Sequence, residues 1–246
     1  MANLTLLYFL MAAATVFAGI SKGGFGSGAA FASSAVLALI LPPAQALGIM
    51  LPLLMLIDVA TLRPYWRGWS WPEARLLILA GIPGVVLGAA LFSVANDDVL
   101  RVLIGAVALG FVAYRLWPLS APRGEMPLWA GWIAGLVAGF TSFVSHAGGP
   151  PVAVYLLSRG LSKTTYQATT VLIFWAINVA KAVPYTFLGV FTLETLKIDL
   201  WLAPFALAGA WLGVKAHHMV SDRLFFGLTY AMLFVTGLKL IWDALT

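Results

Sequence analysis

The chain has 246 residues, 62% of them hydrophobic and 9% charged, with a mean hydropathy of +0.97 and a formal charge of +5. A soluble domain needs far more charge to cover its surface, and a nucleic-acid binder would gather its basic residues on one face rather than scatter them through short loops. There is no cysteine, which excludes disulfides, thiolate metal sites and cysteine nucleophiles.

Apolar runs of membrane-spanning length recur from end to end, so the sequence predicts an all-α polytopic membrane protein, one integral domain over residues 1–246. The first run, MANLTLLYFLMAAATVFAGI, has no Lys or Arg ahead of its apolar core and reads as a retained segment, not a cleaved signal. Pro, Gly and charge divide the first half of the chain into segments at 3–21, 24–41, 44–62, 74–95 and 98–117. After the loop PLSAPRGEMP come 128–145, 149–158, 164–189, 196–216 and 224–243.

The two sets of five are alike. A shift of 120 positions matches Gly19 to Gly139, Gly28 to Gly148, Pro64 to Pro184 and Tyr65 to Tyr185, and pairs Asp58 with Asn178. A shift of 125 matches Gly84 to Gly209, Gly88 to Gly213, Asp97 to Asp222 and Trp117 to Trp242. Two repeats are expected, 1–117 and 127–246. If 3–41 and 128–158 are each an in-and-out pair, Arg63, Arg67, Arg75, Arg115, Arg123, Arg159, Lys163, Lys215 and Arg223 share one face. Arg101, Lys197 and Lys239 then lie toward the other, with Lys22 and Lys181 inside the membrane. Treating each pair as a single broken span gives a less biased split, so the positive-inside rule favours the pairs. The expected architecture is two inverted repeats, each a broken or re-entrant helix pair plus three full spans, with both termini outside.

Two segments could carry chemistry. SKGGFGSG holds Lys22, Gly23, Gly24, Gly26, Ser27 and Gly28, and the expected helix start near Phe25–Ala29 would point unpaired N–H groups at an anion. Glycines that merely let helices pack are the plainer alternative. TSFVSHAGGPP supplies Ser145 and His146, with Thr141 and Ser142 as further donors, and Gly148 and Gly149 as the bend. Pro150 and Pro151 suit the first turn of the next helix. In an inverted pair the two tips would converge. Lys181 is a second cation inside an apolar run, and Trp175 and Tyr185 are candidate cavity-lining residues. Asp58 and Asn178 are candidates for ion coupling, although Asp58 could instead pair with Lys22, Arg63 or Lys181. No HExxH, nucleophile elbow or phosphate loop occurs, so no catalytic residue, metal site or cofactor is expected.

AGISKGGFGSGAA with LPPAQALGIMLPLLMLIDVATLRPYWRGW, and AGLVAGFTSFVSHAGGPPVAVYLLSRGLSKTTYQATTVLIFWAINVAKAVPYTFLG, resemble the two halves of the sulfite exporter TauE/SafE family. The resemblance implies a multi-span carrier in a bacterial cytoplasmic membrane. Its partners would be lipid and a small anion, sulfite or an organosulfonate such as sulfoacetate, with self-association open and no nucleic acid. A passive anion channel on the same scaffold, an uptake permease for another carboxylate or sulfonate, and an intramembrane enzyme using Asp58 and His146 are the rival readings.

Overall fold

A computed structural model describes residues 4–25, 30–116, 124–216 and 222–246. The described residues fold into ten α-helices: α1 Leu4–Ile20, α2 Phe31–Leu37, α3 Pro43–Leu62, α4 Trp71–Phe92, α5 Asp97–Leu116, α6 Leu128–Ser145, α7 Gly149–Ser158, α8 Lys163–Phe187, α9 Leu193–Ala216 and α10 Asp222–Leu245. Seven of the helices described are long and apolar enough to cross a membrane, so this is an integral multi-pass membrane protein.

The local reasons are readable. Proline occupies the first turn of α3, α4 and α7, where no N–H partner is required. The Ser162 hydroxyl caps α8 by accepting from the Thr165 N–H at 3.1 Å. Pro52, Pro83, Pro184 and Pro204 lie inside helices, as neighbouring helices in a membrane permit. α2 and α7 are about 11 and 15 Å long at 1.5 Å per residue, half a bilayer core at most, and each follows a full-length helix.

Several boundaries differ from expectation: α2 is Phe31–Leu37 rather than 24–41, α4 is Trp71–Phe92 rather than 74–95, and the first tip differs in kind. The first helix does not stop at Ile20 but continues as a π turn, Ser21–Phe25, so Lys22, Gly23 and Gly24 are helical rather than in a loop. Phe25 closes that turn, and the second helix begins at Phe31 after Ala30. The cause lies across the contact. A Cβ on Gly23 would sit 2.5 Å from Ala210 O, and one on Gly24 would overlap Gly213 O, so the π turn lies directly on the main chain of α9.

Packing recurs between the halves: α1 lies along α9 and α4 along α6, while α3 meets α8 and α5 meets α10. Glycine contacts give the registers. Gly209 meets Val16 and Gly213 meets Ile20, so α1 and α9 run parallel. Gly131 meets Leu76 and Gly139 meets Gly81, so α6 and α4 do too. Gly105 meets Ile241 and Gly237 meets Leu109, so α5 and α10 run antiparallel. Gly48 meets Val190, just past α8, while Asp58 bonds Asn178, so α3 and α8 are antiparallel as well.

Candidate functional site

The polar residues of the two tips and of α3 and α8 join in one buried cluster. Asp58, in the last third of α3, is fully buried and forms an ion pair with Lys22, which is 2% exposed. Asn178 Nδ2 donates to the other carboxylate oxygen at 2.7 Å. This decides among the three pairings open to Asp58: Lys22, and not Arg63 at the helix end or Lys181, forms its ion pair. One turn beyond Asn178 on the same face of α8 stands Lys181, also fully buried. Its Nζ donates to Ser142 O at 2.8 Å and to Ser142 Oγ at 3.0 Å, and contacts His146 Nδ1 at 2.7 Å. Three acceptors match the three donors of an ammonium.

The imidazole is oriented from both sides. His146 Nε2 lies 3.1 Å from Leu47 O, which can only accept, so Nε2 carries the hydrogen. Nδ1 is then the acceptor for Lys181, and His146 is the neutral Nε2–H tautomer. Its backbone closes α6 in the left-handed conformation at φ 57°, uncommon for a side-chain-bearing residue, with His146 N bonded to Ser142 O and Ala147 N to Thr141 O. The sequence spends about 1 kcal/mol or more of backbone strain to place this ring.

Of the residues expected at the site, Lys22, Asp58, Asn178, Lys181 and His146 are brought together. Gly26, Ser27 and Gly28 lie outside the described residues. Gly23 and Gly24 face α9. Ser145 is buried, but its hydroxyl donates back along its own helix to Thr141 O at 2.8 Å. Gly148 gives the close approach of the second tip, since a Cβ there would be 2.8 Å from Ala138 O, and Gly149 opens α7. Tyr185 braces the tip by donating to Phe143 O at 2.6 Å.

Two partners were missed. Gln167 Nε2 donates to Lys22 O at 3.0 Å, and Leu47 O receives His146. Leu47 and Gln167 are themselves 120 positions apart, so each tip touches the equivalent residue of the opposite half. The repeat was the signal that could have found them.

Away from this cluster, Arg159 at the end of α7 donates from Nε to Glu73 at 2.9 Å and from Nη1 to Glu125 at 3.3 Å. The bond to Glu73 raises the guanidinium above the usual arginine range.

Among known proteins, the family model described as Sulfite exporter TauE/SafE matches residues 11–240. No curated protein and no solved structure matches the chain.

Proposed function

The chain belongs to the sulfite exporter TauE/SafE family, and so to membrane transporters of sulfite- and sulfonate-type anions; from that premise we propose that it is a secondary carrier whose anion is held between the two tips. The observation that carries this reading is the charge of the buried cluster. Lys22 and Lys181 bring two positive charges, Asp58 one negative, and His146 is neutral, which leaves one cation without a counter-charge. An excess charge in a membrane interior is costly unless it is used, and a small anion neutralises it. A sulfonate offers three acceptor oxygens and no donor, which suits Lys181, Lys22 and the His146 Nε2–H group.

In the conformation described, each of these donors is held by a protein acceptor. Lys181 must exchange Ser142 and His146 for substrate, which needs the tip to move relative to α8. Inverted repeats supply such a movement, one half rocking against the other. The antiparallel registers of α3 with α8 and of α5 with α10 support the inverted relation, because equivalent helices related by an axis along the membrane normal would run parallel. The parallel seam of α1 with α9 then brings both termini to one face. The positive-inside rule assigns that face to the outside of a cytoplasmic membrane.

The reading is tested by a thermal-shift titration of the purified protein with sulfite, sulfoacetate and sulfate, followed by uptake and efflux in proteoliposomes. Sulfite or sulfoacetate is expected to raise the melting temperature, since binding to the native state stabilises it by mass action. The double variant Lys22→Ala/Asp58→Ala, which removes a matched pair and so leaves the excess charge of the cluster unchanged, is expected to lose transport. Transport unchanged in that variant would remove Lys22 from the site, and no stabilisation by any of the three anions would overturn the substrate class.

A further inference from the structure

Three carboxylates are buried among the described residues: Asp58, Glu73 and Asp199. Asp58 has Lys22 and Asn178, and Glu73 has Arg159. Asp199 has nothing. It is 7% exposed, and neither carboxylate oxygen has a hydrogen-bond partner among the described residues.

Its place in the fold ties it to the first tip. Asp199 stands about 9 Å into α9, on the stripe Thr195, Asp199, Leu202, Ala206 and Ala210 that this helix buries. α9 packs against α1, the π turn and α3. No titratable group among the described residues of these elements faces it. Those of α9 itself are Glu194 and Lys197, both exposed, and the distant Lys215, which lies over Trp211. α1 brings Tyr8, whose ring is edge-on to Trp201 at 5.1 Å. The π turn brings Lys22 and α3 brings Asp58, paired to each other. The π turn meets α9 at Ala210–Val214, about 16 Å or more along the helix from Asp199.

An ionised carboxylate in such a place costs several kcal/mol with nothing to offset it. Among the described residues no group of three His, Asp or Glu could hold a metal ion, so the ligand that one isolated carboxyl can take is a proton. We propose that Asp199 is a proton-binding site in the outer half of the membrane, protonated while that half is sealed and deprotonated when water reaches it. Resting on the carrier reading, the proposal makes Asp199 the coupling site and H+ the coupled ion. The link to the anion is mechanical. Asp199 lies at the foot of the α1–α9 seam, whose upper end holds Gly23 and Gly24 against α9. Wetting the foot of the seam shifts α1, and with it Lys22, against α9.

The natural chain has no cysteine, so a single reporter can be placed without further change. Leu202→Cys, one turn from Asp199 and buried, reports opening of this half through its labelling rate with a membrane-impermeant thiol reagent. The rate is divided by that of the same reporter in Asp199→Asn, which removes the thiol's own pH dependence. The ratio is expected to rise with external pH, by up to about tenfold per unit, the limit for release of one proton. Asp199→Glu is expected to keep the dependence. A ratio flat with pH overturns the proposal. The infrared band of a protonated carboxyl, present in the parent and lost in Asp199→Asn, is a second readout that needs no transport, and its absence in the parent also overturns the assignment. Neither measurement uses an anion, so failure of sulfite to bind would sink the substrate reading and leave these results standing. In proteoliposomes, sulfite-driven proton flux lost in Asp199→Asn, with sulfite still stabilising the variant, is the outcome expected for coupling. Flux equal to that of the parent refutes it.

Discussion

Replacing Asp58 by asparagine separates the charge of the carboxylate from its hydrogen bonds. The amide can still accept from Lys22 on one side and, with Asn178 turned over, donate to it on the other, so both contacts survive while the negative charge goes. Lys22 is then an ammonium at 2% exposure without a counter-ion, and the cluster charge rises from one excess cation to two. Breaking a buried pair by removing one partner costs about 3–5 kcal/mol, and the second uncompensated lysine places this variant at the upper end. Reversible unfolding in mixed micelles, titrated with a denaturing detergent, measures the loss. Lys22→Met in the same background is expected to recover most of it, giving a coupling energy of about 3 kcal/mol in the double-mutant cycle. An Asp58→Asn loss below about 1 kcal/mol would show that the pair behaves like an exposed ion pair, and the charge count behind the anion site would fail with it.

Lys181→Met is expected to abolish stabilisation by sulfite or sulfoacetate in a thermal-shift titration, and Lys181→Arg to recover part of it; full stabilisation in the Met variant would exclude Lys181 from the site. Gly24→Ala drives a Cβ into Gly213 O on α9 and is expected to lower the melting temperature and disturb the first tip, whereas Gly110→Ala meets nothing within 4 Å and should stabilise α5 by about 0.5–1 kcal/mol. Arg159→Gln removes the links from α7 to Glu73 and Glu125, and a cysteine placed at Ser158 is expected to label faster in that background; an unchanged rate would mean that these ion pairs do not hold the end of α7 in place.

Most helices were legible to within two or three residues because membrane segments advertise themselves: an apolar run, a proline at its first turn and a charged loop leave few alternatives; the short second helix, Phe31–Leu37 against an expected 24–41, was not. α6 and α7 start and stop where the sequence placed them. The first tip was harder. A glycine declares that something approaches the backbone without saying what, and the reading that assigned Gly23 and Gly24 to a ligand met instead the main chain of α9, contributed by the other half of the chain. Likewise an Asp and a Lys in separate apolar runs can each be suspected, but their pairing is a fact of packing. Asp199 was equally hidden. α9 is apolar on several faces, so periodicity alone does not tell whether the acid of LETLKIDLWLAPF turns inward with Thr195 and Leu202 or outward with Leu200.

The repeat gives the central contacts a division of labour under the proposed inverted arrangement. Asp58 and Asn178 are equivalent positions, 120 apart, and they bond each other. A contact between equivalent residues lies on the axis that relates the halves, so exchanging the conformations of the two halves maps it onto itself. It can persist in both states and serve as the pivot. The bonds from Gln167 to Lys22 O and from His146 to Leu47 O lie off the axis; Gln167 and Leu47 are equivalent positions, but Lys22 corresponds to Ser142 and His146 to Gly26, so the same operation does not exchange the two bonds. They differ in chemistry, an amide on one side and an imidazole shared with Lys181 on the other. The two ends of the cycle are therefore unequal in energy even though the scaffold is repeated. Only the imidazole bond is tied to the uncompensated cation, so the second tip is where an arriving anion competes directly with the contacts that hold the halves together.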